Sequence, residues 1–155
     1  MIVVLIQLLI FSVYIAYILY KYGVLSSISD SYYSLPESRR YLFTFFIWGV
    51  GAPILALTDY SGLFFAAGAF LFFVGAATQF RSDDGFTPQV HSIGATGGIV
   101  AALFALVSLN IYYPLIIASI ASILIKKLKV PNSTWWIEVA CFACIEIGLI
   151  DFFWC

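Results

Sequence analysis

Proton chemistry in this chain has few carriers. There is one histidine, His91, the side chain whose ordinary titration range lies nearest neutrality. Glu138 and Glu146 stand in an otherwise apolar segment, roughly 12 Å apart along a helix at 1.5 Å per residue. Carboxylates inside such a segment must face other protein groups, stay protonated or pair. Asp30, flanked by Ser29 and Ser31, adds a fourth group, either as a binding residue or as the centre of a loop-stabilising Asx-turn.

Together Asp30, His91 and Glu138 could serve as general acid and base. The simpler reading of His91 is a structural hydrogen bond to an acid, with Asp30, Asp83 and Glu138 as the expected partners. Glu37, Arg39 and Arg81 complete the candidate set, with Arg39 and its neighbour Arg40 suited to marking topology or touching lipid phosphates. A zinc site needs three or four ligands, so no metal and no cofactor is expected. No Gly-rich phosphate loop, nucleophile elbow or dinucleotide motif is present. Cys141 and Cys144 spell C-x-x-C, but within an apolar segment their expected role is packing.

The elements that must position these groups follow from composition. With 63% hydrophobic, 19% aromatic and 10% charged residues, the chain lies outside the range of water-soluble domains. Its 7 Lys and Arg plus 8 Asp and Glu cannot coat a soluble surface, and a net charge of −1 offers nothing to a nucleic-acid backbone. The expected fold is all-α, a single integral membrane domain forming a polytopic helical bundle of six transmembrane helices. The apolar runs place these spans at about 1–20, 41–57, 63–80, 89–109, 111–125 and 135–154. Residues 1–20 read as a span and not a cleaved signal, because no Lys or Arg precedes the run and no small-x-small site follows it.

Between the first two spans lies the longest polar stretch, Ser26 to Arg40. Ser34-Leu35-Pro36-Glu37 fits a capping box, predicting a helix start near Leu35, and Gly49, Gly51 and Pro53 should loosen or kink the span that follows. Thr87-Pro88 predicts another start, with Thr87 as cap. Along the fourth span Gly94, Ala95, Gly98, Ala102 and Ala105 form a stripe of small residues that permits close helix packing. Tryptophans at both ends of the last span suggest interfacial anchors.

All Lys and Arg fall in the connections after spans one, three and five. The positive-inside rule then puts those connections in the cytoplasm and both termini on the non-cytoplasmic side. This topology gathers Ser29, Asp30, Glu37, Arg39, Arg81 and His91 at one rim, with Glu138 close behind and Glu146 deeper.

The order Ile28-Ser29-Asp30, Pro36-Glu37, Val90-His91 before Gly94-Ala95, then acidic residues in the last span, resembles the damage-regulated autophagy modulator family of six-pass membrane proteins. That resemblance implies a membrane organiser or lipid-associated role. The leading expectation is a non-enzymatic protein whose cytoplasmic-face polar cluster binds a lipid headgroup, a small molecule or a partner protein. Its expected partners are membrane lipid and a second copy of the chain or another membrane protein. A small transporter or proton-conducting oligomer and a membrane-embedded hydrolase are the alternatives.

Overall fold

Buried backbone amides and carbonyls need partners, and six of the apolar runs supply them internally by winding into helices. A computed structural model describes residues 2–154, and among these there are helices and turns but no strand. The helices are α1 (Ile2–Tyr22), α2 (Ser31–Ser34), α3 (Tyr41–Leu55), α4 (Gly62–Ala76), α5 (Phe86–Ser108), α6 (Tyr113–Lys127) and α7 (Ser133–Trp154), with a 3₁₀ turn over Glu37–Arg39. All but α2 fall on the six expected spans. Of these, α1 and α5 are long and apolar enough to cross a membrane. α3, α4 and α6 have 15 residues each, about 22 Å of helix.

Several ends differ from the sequence reading. The capping box does not form: Ser34 closes α2 by donating its hydroxyl to the Asp30 carbonyl at 3.2 Å, and α3 begins only at Tyr41. Proline restrains the residue before it to extended backbone, and Leu35 is extended, with ψ 141°. At α5 the acceptor is Asp84, not Thr87. Its carboxylate takes the Thr87 amide at 2.9 Å and the Thr87 hydroxyl at 2.6 Å, while Gly85 turns the chain with φ 70°. The third span ends at Ala76, short of the expected residue 80, and the irregular stretch beyond it becomes part of the site.

Helix α3 lies between α1 and α4, α4 packs on α5, and α7 touches α5, α6 and α1. Five helices thus form a ring, with α6 outside it against α7 and α5. Small residues set the close approaches. A Cβ on Gly94 would meet the Phe70 carbonyl at 2.9 Å, and one on Gly98 would meet Leu71 at 3.3 Å, so the small-residue stripe is the α4 contact. The α3–α4 crossing likewise seats Gly68 against Leu55 and the Gly51 carbonyl.

One core runs through the ring, with Ile18, Phe43, Phe64, Leu106, Trp135 and Leu149 almost wholly enclosed. Trp135 is 0% exposed, so the expected interfacial anchor is a core residue; Trp154, at the other end of α7, is 62% exposed. The outer surface is apolar: Leu9, Val13, Phe45, Phe65, Phe104 and Ile123 are among its exposed side chains. On α6 only Pro114 and Ala118 are buried.

Candidate functional site

Residues 23–40 carry too little apolar surface to form a core of their own, so they are held by Ile28, Tyr32 and Leu35, which join the core of the bundle, and by polar bonding to the helices. Four segments take part. Tyr14 of α1 meets Ser31 at 2.6 Å between the two hydroxyls. Glu138 of α7 accepts the Ile28 amide at 2.6 Å. Asn132, in the α6–α7 turn, donates its side-chain amide to the Val24 carbonyl at 3.1 Å. The α4–α5 connection with the first turns of α5 supplies the rest, through Arg81 and His91.

At that connection Arg81 and Asp30 form an ion pair at 2.5 Å, the arginine side chain 56% exposed and the aspartate only 13%. Ser26 donates to the other Asp30 oxygen. The Arg81 backbone amide donates to the Tyr33 hydroxyl at 2.8 Å, and its guanidinium lies 4.5 Å from the Tyr33 ring centroid. Tyr33 meets Phe80 edge-on, and Phe80 stacks on the His91 imidazole with centroids 4.4 Å apart.

His91 is 4% exposed. Its Nδ1 lies 2.9 Å from the Ala77 carbonyl and its Nε2 lies 2.7 Å from Ser29 Oγ. A carbonyl only accepts, so Nδ1 carries the proton; in the neutral ring Nε2 then accepts from the Ser29 hydroxyl. These partners correct the expectation of an acidic neighbour. Because α4 ends at Ala76, the Ala77 carbonyl is free to turn to the ring, which is how the shortened helix contributes to the site.

Ser29 and His91 have the reach of a nucleophile and its base, with the Ala77 carbonyl orienting the ring. Beside them, however, is a cavity of about 20 Å³ lined by Ile28, Ser29, Val74, Glu138 and Phe142 among others, room for one water. The Ser29 hydroxyl ties the polar stretch to His91 of α5. Among the described residues no group of three or more His, Cys, Asp and Glu is arranged to hold a metal.

The other candidates lie apart. Glu37 and Arg39 are exposed on the 3₁₀ turn, while Arg40 sits 5.3 Å from the Tyr32 ring. Glu146 is deep in α7 and 1% exposed. Neither of its oxygens has a hydrogen-bond partner, and the same holds for both polar atoms of Gln7 on α1. The Gln7 carboxamide is close enough to act on the Glu146 carboxyl, but no bond of acceptable geometry joins them. Cys141 and Cys144 are free thiols in the core.

Asp30, Arg81, His91, Ser29 and Glu138 thus come together, and Glu37, Arg39 and Glu146 do not join them. Tyr14, Tyr33 and Asn132 were not among the candidates, since nothing in their local sequence distinguishes them from surface or lipid-facing residues. Gln7 was visible only as a polar break in an apolar run. Comparison of the chain with protein-family models, curated proteins and solved structures finds no match.

Proposed function

We propose that the protein is a non-enzymatic integral membrane protein that crosses the bilayer six times and presents the clasped polar stretch as a headgroup-recognising rim on the cytoplasmic face. The observation that carries this reading is the distribution of charge. The three connections bearing all 7 Lys and Arg are bonded to one another through Arg81–Asp30 and Asn132–Val24, so they share one end of the bundle. At the other end Tyr60 packs on Phe152 and Phe153, beside Asp59 and Asp151. Between the two ends the outward surface is apolar.

The short helices are compatible with this reading. Past Leu55 the backbone continues in helical bonding, with Leu57 and Thr58 amides reaching the Ile54 and Leu55 carbonyls, and a bilayer thins around short spans at modest cost. The resemblance motifs also meet in space: Ser29 and His91, from two of the matched segments, are bonded to each other.

Single cysteines at Ser38→Cys and Asp59→Cys, flanking α3, test the topology. An impermeant thiol reagent should reach position 59 from outside intact cells and position 38 only after permeabilisation; labelling of both from one side would reject the reading. Lipid phosphorus that co-purifies with the protein should fall in Asp30→Ala and His91→Ala, and wild-type amounts in both would remove the recognition role.

Proton transfer is a second reading, favoured by Gln7 and Glu146, which put unpaired polar atoms in the bundle interior. Proteoliposomes lacking any proton flux would dismiss it.

A further inference from the structure

We infer that the groove between α1 and α3 binds one acyl chain of an anionic phospholipid, whose phosphate is held by Lys21 and Arg39. The inference rests on the membrane reading above and names a site distinct from the clasp. The groove is open to the outside and offers about 700 Å³. Its floor is a flat aromatic pair, Tyr14 and Phe46, with ring centroids 4.0 Å apart and planes 5° from parallel. Val13 and Phe45 form its rims, 59% and 65% exposed. No charged side chain lines it, and of its two hydroxyls that of Tyr14 is bonded to Ser31 and that of Tyr17 turns to Tyr22, so the cleft suits a hydrocarbon chain.

Direction comes from its upper end, where Tyr17 and Leu42 line the groove. Lys21 stands one helical turn beyond Tyr17 on the same face of α1. Arg39 stands three residues before Leu42, on the turn that leads into α3, and its charge bears on Tyr22, whose ring contacts Tyr17. Both basic residues are exposed. The only ion pair among the described residues is Arg81–Asp30, so neither cation is matched by a carboxylate. Two unmatched cations above an apolar cleft complement a molecule with one negative head and a hydrocarbon tail, which in a bilayer is an anionic phospholipid.

The full chain in detergent micelles, titrated with phosphatidylglycerol or with phosphatidylcholine of the same acyl chains and read by native mass spectrometry, tests the site. Wild type should favour phosphatidylglycerol by about tenfold or more, the order expected from two basic groups near one phosphate. Lys21→Gln with Arg39→Gln should remove that preference and keep binding of both lipids. Val13→Trp, at an exposed position that tolerates bulk, should lose both. Equal binding of the two lipids by wild type, or an undiminished preference in the double variant, overturns the proposal. Carbonate extraction of the source membranes separates the two levels. Protein released to the supernatant overturns the membrane reading and the lipid site together, whereas protein retained in the pellet but lacking the preference overturns the lipid site alone.

Discussion

Ser29 Oγ and His91 Nε2 lie 2.7 Å apart although 62 positions separate them in the chain, and between them they close the polar stretch onto the α4–α5 connection. The imidazole is stacked on Phe80 and held at its other nitrogen by the Ala77 carbonyl. It therefore has one orientation and one tautomer, and the serine has one place to donate. The polar segment is fixed against the helices by such bonds together with Ile28, Tyr32 and Leu35, which sit in the core.

Removing one member of that pair should be costlier than the bond itself. Ser29→Ala leaves Nε2 buried without a protein donor, and such an orphan costs about 1–3 kcal/mol where no water enters the space the hydroxyl vacates. His91→Ala should destabilise as well, and the double variant should lose less than the sum of the two, by about 0.5–3 kcal/mol of coupling. Thermal unfolding of the four proteins in one detergent measures this. Additive losses would show that the two side chains act independently.

The Arg81–Asp30 pair should be asymmetric. Arg81 is more than half exposed and keeps its hydration when unpaired, whereas Asp30, 13% exposed, does not. Arg81→Gln is therefore expected to destabilise more than Asp30→Asn, with both effects about 1 kcal/mol or less because the arginine is solvent-screened. The reverse order in unfolding midpoints would contradict the assignment of Asp30 as the buried partner.

Six long helices were legible because apolar runs of that length have few alternatives, and the gathering of Asp30, Arg81 and His91 followed from the side on which the basic residues fall. The partners of His91 were not legible. A buried histidine suggests an acid, but here a serine and a helix-end carbonyl satisfy it, and the carbonyl is free to accept because α4 stops at Ala76. Ser34 and Glu37 spelled a capping box that Pro36 overrode by extending the backbone. Trp135 read as an interface residue, since sequence alone does not show which face of α7 meets the core.

At the start of α5 the pH dependence has a defined sign. The Thr87 hydroxyl and then its amide hold the Asp84 carboxyl below the usual aspartate range. A group depressed in the fold contributes its stability fully above the unfolded value, about 3.9, and loses it as pH falls through the lower folded value. Amide exchange at Thr87 to His91, corrected for intrinsic rates, should therefore lose protection below about pH 3.9. Asp84→Asn should show no such step. A step retained in that variant would assign the titration to another group.

Glycine substitutions should separate close approach from open surface. Gly94→Ala sets a Cβ 2.9 Å from the Phe70 carbonyl, a backbone atom that cannot rotate away, and should destabilise by about 1–3 kcal/mol. Gly62→Ala meets nothing within 4 Å and lies in the first turn of α4, so it should be neutral or gain about 0.4–1 kcal/mol by limiting the unfolded chain. Equal losses at the two positions would argue against the α4–α5 packing described above.

Gln7 and Glu146 offer the sharpest contrast between single and paired change. All four of their polar side-chain atoms are buried without a hydrogen-bond partner, on two helices that touch. Gln7→Leu alone removes two of the orphans and leaves the carboxyl as unpaired as before, and Glu146→Leu alone does the same for the other two. Each single variant should therefore be neutral or stabilising, because apolar contact replaces a buried polar group that bonds nothing. Gln7→Leu with Glu146→Leu removes all four. Unfolding in detergent should thus rank the double variant above either single one, and both single variants at or above wild type. Single variants that each lose about 1–3 kcal/mol, with the loss recovered in the double variant, would mean that the pair is bonded in the native protein and holds α1 to α7 through that bond.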